Sequence, residues 1–259
     1  MIYVGTSGYS FPDWKGSFYP EEISAQERLS FYAERFRTVE LNFTYYALPK
    51  ESTIARMTEV TPDDFKFFVK ANKATTHQRE REAAEPFLKA LQPCREAGKL
   101  AGILAQFPNS FKNRQPPRQY LSALREDFDG YPLVVEFRDE SWNREPVFDF
   151  LKRLGFGFCC VDEPNLKGLM PPVAQRTSSI GYVRFHSRDA SKWYGGDASE
   201  RYNYLYSDEE LKEWVPKIRE MDDDSEVEDI FVFFNNCHSG HAAVNAVQFE
   251  EMLREMGFL

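Results

Sequence analysis

The chain alternates short apolar runs with segments of helical periodicity, and this alternation limits its possible folds more than any other feature. Eight apolar runs, most of them bounded by Gly, Pro or Asp, predict strands at Ile2–Ser7, Val39–Asn42, Phe65–Lys70, Ala101–Gln106, Leu133–Arg138, Gly157–Asp162, Ile180–His186 and Ile230–Asn235. Helices are predicted near Ala25–Phe36, Ser52–Glu59, Phe87–Cys94, Tyr120–Asp127, Val147–Leu154, Asp208–Glu220 and Ala242–Met256. This pattern over 259 residues is typical of a (β/α)₈ barrel. We therefore predict an α/β fold with a single TIM-barrel domain over residues 1–259.

The main competing architecture is a doubly wound open sheet that binds a dinucleotide. That fold places a Gly-x-Gly-x-x-Gly turn between its first strand and the following helix, where the glycines let the backbone approach a pyrophosphate. No such motif follows any predicted strand, and no change in composition divides the chain. The barrel is therefore the favoured prediction.

Charge and cysteine content narrow the possible partners and the compartment. With 32 Lys and Arg against 41 Asp and Glu, the net charge is -9, which disfavours nonspecific binding to nucleic acids or membrane surfaces but allows a local basic cleft. No apolar run is long enough to span a bilayer, and the start of the chain lacks the features of a signal peptide. The four cysteines show no Cys-x-x-Cys spacing. We expect reduced thiols and a cytoplasmic location.

Alternate residues of a strand face opposite sides, so strand parity separates two sets of side chains. One set is apolar on every strand, and we expect it to pack outward against the helices; on the sixth strand it comprises Cys159 and Val161. The other set places polar residues at the carboxyl ends of the strands: Ser7, Glu40, Asn42, Lys70, Gln106, Glu136, Arg138, Asp162, Arg184, His186 and Asn235. Barrel active sites lie at these strand ends. The alternative is a layer of ion pairs that satisfy one another inside the barrel.

The loops that follow the strands are rich in aromatic and cationic residues. Tyr9 and Trp14 follow the first strand, Trp142 follows the fifth, and Trp193 lies in the long connection Ser187–Tyr206. Aromatic planes beside guanidinium groups suit a ligand with a flat face and a negative charge. The alternative is that these rings only pack the loops.

Several motifs, in order along the whole chain, carry a family resemblance. They are Thr6-Ser7-Gly8-Tyr9-Ser10, Val39-Glu40-Leu41-Asn42, Phe67-Phe68-Val69-Lys70 with Thr76-His77, Gln106-Phe107-Pro108, Glu136-Phe137-Arg138 with Ser141-Trp142, Arg184-Phe185-His186 and Phe234-Asn235-Asn236. In these motifs the chain resembles the YecE-like proteins, domain of unknown function 72. The resemblance implies a (β/α)₈ barrel. It implies no established activity, so no catalytic role is transferred.

The first functional hypothesis is an enzyme, such as a hydrolase of a phosphate- or sugar-containing substrate, that binds a phosphate-bearing or nucleic-acid-like ligand at the barrel mouth. Cationic side chains would hold the anionic oxygens, and Glu40 or Glu136 would act as general base with His186 as acid. The residues expected to contact the ligand are Ser7, Tyr9, Trp14, Asn42, Lys70, His77, Gln106, Arg138, Trp142, Asp162, Arg184, Trp193 and Asn235.

Two alternative functions, one possible cofactor and one further chemistry remain open at this point. One is a non-catalytic protein that binds single-stranded nucleic acid or a metabolite in the same cleft. Another is a carboxylate-dependent sugar hydrolase or isomerase that uses Glu40 and Glu136. A single Mg²⁺ or Mn²⁺ held by Glu40, Glu136 or Asp162 is the one cofactor that the residues suggest. Lys70 is the one strand-end lysine that could form a Schiff base.

Overall fold

The computed structural model describes residues 1–195 and 198–258 and contains one sheet of eight parallel strands. The strands are β1 Ile2–Thr6, β2 Thr38–Leu41, β3 Lys66–Lys70, β4 Leu100–Gln106, β5 Leu133–Glu136, β6 Phe156–Asp162, β7 Ile180–Phe185 and β8 Asp229–Phe234. Seven neighbouring pairs form regular ladders, including β1 with β8, and a parallel bridge between Ser7 and Glu40 joins β1 to β2. The sheet therefore closes into a barrel, which confirms the predicted (β/α)₈ fold.

Helices connect the strands, most of them on the outside of the barrel. They are α1 Arg28–Arg35, α2 Phe43–Tyr46, α3 Glu51–Glu59, α4 Ala84–Ala90, α5 Gln92–Glu96, α6 Gln115–Asp127, α7 Glu145–Leu154, α8 Ala190–Trp193, α9 Ala198–Arg201, α10 Asp208–Lys212, α11 Val215–Asp222 and α12 His241–Glu255. The predicted helices Phe87–Cys94 and Asp208–Glu220 are each divided in two. The second piece begins around Pro93 in one case and Pro216 in the other. Proline has no amide hydrogen for the helix ladder, so it favours a new first turn.

The junction between β1 and β2 is closed by a tyrosine side chain. The amide of Thr6 donates to the Tyr32 hydroxyl (2.9 Å), which in turn donates to the carbonyl of Thr38 (3.1 Å). Gly5 allows the close approach, since a Cβ at this position would lie 2.4 Å from the Thr38 oxygen. Tyr32, on α1, thus supplies the hydrogen bonds that a regular ladder would provide, and it holds the polar ends of β1 and β2 beside each other.

Aromatic rings fill the barrel interior below the strand ends. The Phe68 ring lies 4.6 Å from that of Tyr182 and 4.9 Å from that of Phe231, with Phe233 also in contact. Gly102 on β4 provides the space for Phe68, because a Cβ there would come within 2.6 Å of the ring. The interior at this level is therefore a packed core, as in other barrels of this type.

The predicted facing of β6 is wrong. Cys159 lies in register with an inward-facing tyrosine of β7, whereas Phe158 packs outward against α7. The Asp162 carboxylate consequently lies outside the barrel, where it accepts hydrogen bonds from Trp214 Nε1 (2.7 Å) and the Tyr206 hydroxyl (2.9 Å). Both faces of β6 are apolar along most of its length, so hydrophobic alternation gives no signal there.

Two further observations concern cysteines and membranes. All four cysteines are free thiols. None of the helices within the described ranges is long and apolar enough to cross a bilayer. The cytoplasmic location stays a prediction.

Candidate functional site at the barrel mouth

A network of charged side chains crosses the barrel just below its mouth. Its centre is Arg184, whose Nη2 lies 2.6 Å from Glu40 Oε1 and whose Nη1 lies 2.5 Å from Glu136 Oε2. These strand-end side chains come from three different strands, β7, β2 and β5. The arginine is 1% exposed and the two carboxylates are 0% exposed. The pairing therefore takes place in the barrel interior, away from solvent.

Further groups lie close to the two carboxylates. The Tyr182 hydroxyl donates to Glu40 Oε2 (2.6 Å), and Arg138 Nη2 lies 2.7 Å from Glu136 Oε1. His186 Nε2 lies 3.2 Å from the same Glu136 oxygen. We refer to Glu40, Glu136, Arg138, Arg184 and His186 as the charged layer. Two ancillary contacts anchor its rim: Arg138 Nη1 to Glu163 Oε2 (3.0 Å), and Asn235 Nδ2 to His186 Nδ1 (3.0 Å).

The pairing determines the protonation states in the charged layer. Burial alone would raise the pKa of Glu136, but Arg138 and Arg184 outweigh it and hold this pKa well below its usual range. Burial and the nearby Arg138 lower the pKa of His186 to about 3, although Glu136 opposes the shift. Near neutral pH the layer therefore contains ionised Glu136 and a neutral imidazole.

This geometry bears directly on the predicted catalytic roles. A general base must reach the substrate proton, and its pKa should lie near the working pH. Glu40 and Glu136 are fully buried and bound to Arg184, and the His186 imidazole is also fully buried. The roles predicted for these three residues remain predictions, and the arrangement matches the alternative of an ion-pair layer.

A cavity of about 270 Å³ lies above the charged layer, and we call it the mouth cavity. Its lining comes from the loops after β3, β4, β5, β6 and β7 and comprises His77, Gln106, Pro108, Asn109, Arg138, Leu169, Trp193, Tyr194, Arg201 and Tyr202. None of these described lining residues is acidic. The structure thus brings together four of the predicted ligand-binding residues, namely His77, Gln106, Arg138 and Trp193.

Trp193 and its neighbours in the long connection form one wall of the mouth cavity. The guanidinium carbons of Arg138 and Arg201 lie 5.8 and 5.6 Å from the Trp193 ring, within cation–π range. Nε of Arg201 is buried without a hydrogen-bond partner among the described residues. The Tyr202 ring lies 6.1 Å from that of His186, which connects this wall to the charged layer. Residues 196 and 197 of the connection lie outside the described part of the chain.

Lys70, at the end of β3, does not line the mouth cavity, but it contacts the same Tyr45 ring as His77, which does. Its Nζ is 4.8 Å from the centre of the Tyr45 ring, and the His77 ring packs against the same tyrosine at 5.1 Å. Burial and the nearby Arg184 lower the pKa of Lys70 to about 8, and burial also lowers the pKa of His77. Near neutral pH the Lys70 amine is therefore less fully charged than an ordinary lysine, and the His77 imidazole is neutral.

Two of the tryptophans predicted to stack on a ligand do not reach the site. Trp14 and Trp142 are both 0% exposed. Each indole donates its N–H to a backbone carbonyl at 2.6 Å, that of Cys237 for Trp14 and that of Phe111 for Trp142. Trp142 is also stacked on Phe137, at 4.2 Å between ring centres. The stacking prediction is wrong for both residues because they pack the loops on which the mouth is built.

The remaining predicted ligand-binding residues lie in other surroundings. Ser7 Oγ is buried and accepts a hydrogen bond from Arg184 (3.3 Å). Tyr9 and Asn42 line a separate, largely apolar cavity of about 390 Å³ on the β1–β2 side. Asp162 lies outside the barrel, where Arg188 Nη2 binds it at 2.7 Å. The structure does not bring these side chains to the mouth cavity.

Several contributing residues were not selected from the sequence. Arg201 and Tyr202 line the mouth cavity, but the long connection is too rich in aromatic and basic residues for them to stand out. Tyr182 lies two residues before Arg184 on the same face of β7, so strand parity would have found it. Glu163 follows β6, whose facing was predicted wrongly.

The residues do not match the predicted Mg²⁺ or Mn²⁺ site. Glu40 and Glu136 bind Arg184, and Asp162 lies outside the barrel. Throughout the described ranges, no group of three or more His, Cys, Asp or Glu side chains could hold a metal ion.

The chain is similar in sequence to two UPF0759 proteins. A relative 32% identical to this chain, the UPF0759 protein YunF of Bacillus subtilis, aligns over 98% of this chain and 95% of its own length. The UPF0759 protein YecE of Escherichia coli K12 is 32% identical over 50% of this chain and 46% of its own length.

Solved structures show the same barrel. A DUF72 family protein of Thermotoga maritima is 44% identical, with a TM-score of 0.91 and coverage of 98% of this chain and 99% of that one. A DUF72 family protein of Enterococcus faecalis is 28% identical, with a TM-score of 0.88 and coverage of 98% and 96%. The family model described as "protein of unknown function DUF72" matches residues 3–257. The chain therefore belongs to the DUF72 family.

Proposed function

We propose that this protein binds a phosphate-bearing small molecule in the mouth cavity. The observation that carries the proposal is the charge of the lining. The chain as a whole has a net charge of -9, yet the described lining contains no acidic residue and two arginines: Arg201, and Arg138, whose partners Glu136 and Glu163 are buried. An acidic protein that collects cations around one concave site creates a local field that attracts anions.

The chemistry of these cations suits a phosphate. A guanidinium group donates two parallel hydrogen bonds to a phosphate, while a lysine acts as a compact point charge. Among the described residues, Arg201 Nε has no hydrogen-bond partner, and Lys70, which shares the Tyr45 ring with the lining residue His77, is the point charge. Trp193 and Tyr202 add flat apolar faces, which suit a sugar ring or a base attached to the phosphate.

The shape of the site favours a small ligand over a nucleic-acid strand. Proteins that bind single strands without sequence preference use an open groove that follows the backbone for several nucleotides. Here the site is a cavity of about 270 Å³ with a wall of aromatic side chains. The sugar hydrolase alternative needs two carboxyl groups at the substrate, and the two candidates, Glu40 and Glu136, are buried on Arg184.

Tryptophan fluorescence tests the proposal. Trp193 lines the mouth cavity, whereas Trp14, Trp142 and Trp214 are 0% exposed. Titration with ribose 5-phosphate should quench the emission, and ribose without phosphate should have a far weaker effect. Trp193→Phe should remove the signal while calorimetry still detects binding.

Two outcomes would contradict the proposal. Equal responses to ribose and ribose 5-phosphate would show that the phosphate is not recognised. A short single-stranded oligonucleotide that binds more tightly than ribose 5-phosphate, with strong salt dependence, would favour the nucleic-acid alternative.

A further inference from the structure

Two buried or half-buried lysines of this chain differ in how their ammonium groups are satisfied. Lys99 is buried, and its Nζ donates to the carbonyls of Thr58 (2.7 Å) and Thr61 (2.8 Å). Lys70 is half-buried, and its Nζ has the Tyr45 ring at 4.8 Å but no hydrogen bond or ion pair with any residue in the described ranges. Lys99 is bound as a structural cation, whereas the Lys70 amine remains available.

From this position we propose that Lys70 is a nucleophile that forms an imine with the carbonyl group of a phosphorylated aldehyde or ketone bound in the mouth cavity. The inference rests on the proposed function, since the arginines of the cavity would hold the phosphate while the carbonyl carbon reaches Nζ. It names the substrate class more narrowly, as a phosphate ester that also has a carbonyl group.

The electrostatic surroundings favour the reactive form of the amine. Only a neutral amine attacks a carbonyl carbon, and desolvation or a neighbouring cation is what lowers the pKa of nucleophilic lysines. Burial and Arg184 lower the pKa of Lys70 to about 8. Near pH 7.5 its neutral fraction is therefore roughly two hundred times that of an ordinary lysine.

Imine formation needs only the Lys70 amine, the carbonyl group of the ligand and a group that transfers protons. The neutral amine forms a C–N bond as the C=O π bond breaks, and one proton passes from the nitrogen to the oxygen to give a carbinolamine. Loss of that oxygen as water, with one further proton, leaves the iminium ion. Imine formation releases water and changes no oxidation state, so no oxidant or reductant is needed.

His77 is the group best placed to move these protons. It lines the mouth cavity and packs against the same Tyr45 ring as Lys70. Burial lowers its pKa, with Lys70 and Arg138 contributing, so the imidazole is neutral near pH 7 and can accept a proton. We assign it the proton transfer that accompanies formation and loss of the carbinolamine.

Borohydride trapping tests the inference. The protein is incubated with substoichiometric pyridoxal 5′-phosphate, used as a probe with both an aldehyde and a phosphate, reduced with borohydride and mapped by peptide mass spectrometry. The adduct should lie on Lys70 at a level at least tenfold above that on any other lysine. Pyridoxal without phosphate should label Lys70 at least tenfold less, and excess inorganic phosphate should protect it.

Matched variants sharpen the result. Lys70→Arg should lose the adduct, and Lys73→Arg, an exposed lysine three residues away, should retain it. Because the map of the wild-type protein identifies the modified lysine directly, the result does not depend on how the variants fold. Adducts spread over surface lysines without preference for Lys70 would overturn the inference.

The two proposals fail in different ways. If ribose 5-phosphate quenches Trp193 but the probe does not label Lys70, the imine is wrong and phosphate binding stands. If neither occurs, both proposals are wrong.

Discussion

The charged layer and the mouth cavity above it use the same residue types in opposite ways. In the charged layer, Arg184 is 1% exposed and bound to two carboxylates that are 0% exposed. In the mouth cavity, Arg201 lies beside Trp193, and neither Arg201 nor Lys70 makes an ion pair with any residue in the described ranges. A buried charge that is paired supports the fold, whereas a charge at a cavity without a partner is free to bind a ligand.

Of the predictions made here, removal of Arg184, the central cation of the charged layer, should change the free energy of unfolding most. Arg184→Met leaves Glu40 and Glu136 buried without their shared partner, which should lower the free energy of unfolding by about 3–5 kcal/mol. Urea denaturation followed by circular dichroism measures this change. Arg201→Met is the control and should unfold at nearly the wild-type urea concentration. Similar stability losses in the two variants would remove the distinction between the layers.

The charged layer should also make stability depend on pH through His186. Its folded pKa is lowered to about 3 from an ordinary value of 6.5, so the folded state binds fewer protons than the unfolded state between these values. Its contribution is therefore fully present above pH 6.5 and is lost as the pH falls toward 3.

Between about pH 7.5 and pH 5 this loss should amount to about 2 kcal/mol, to which other groups such as Glu136 add as the pH falls further. Urea midpoints at the two pH values measure it, and His186→Gln should flatten the dependence over this interval. A variant as sensitive to pH as the wild type would show that His186 is not the group responsible.

The mouth cavity should respond in the opposite way, with a change in binding rather than in stability. Arg201→Gln removes one cation and should raise the Kd for ribose 5-phosphate about tenfold or more, the size expected for a charge-assisted hydrogen bond. The Tm without ligand should stay within about 2 °C of the wild-type value. Calorimetry gives the Kd, and an unchanged value would place the phosphate elsewhere.

Replacement of Lys70 should give a small change in stability, and its sign distinguishes a binding charge from a supporting one. Burial and Arg184 disfavour its charge, so Lys70→Met should raise the free energy of unfolding by about 1 kcal/mol while weakening phosphate binding. Thermal denaturation and calorimetry on one preparation measure both effects. A destabilised variant would mean that Lys70 is part of the supporting network instead.

Much of the fold follows from local patterns. All eight strands lie within a few residues of the apolar runs that predict them, because both β-propensity and barrel packing act through the same side chains. The two divided helices show a limit, since apolar periodicity continues through Pro93 and Pro216 although the backbone ladder does not.

The site was harder to predict because it depends on which residues pair. The sequence contains the carboxylates and arginines of the strand ends, but that Arg184 binds both Glu40 and Glu136 is set by register around the barrel. A tryptophan in a loop gives no signal to separate Trp142, whose N–H binds a carbonyl, from Trp193, which lines the cavity. Asp162 shows the same difficulty, since its partners come from distant segments.

A crystal structure of the protein with ribose 5-phosphate bound would test the central claim most directly. We predict the phosphate in the mouth cavity, within hydrogen-bond distance of Arg201 and of Arg138, the one member of the charged layer that lines the cavity, with the pairs of Arg184 to Glu40 and Glu136 unchanged. A ligand bound on the apolar β1–β2 side, or Arg184 released from its carboxylates to hold the phosphate, would contradict the division between supporting and binding charges.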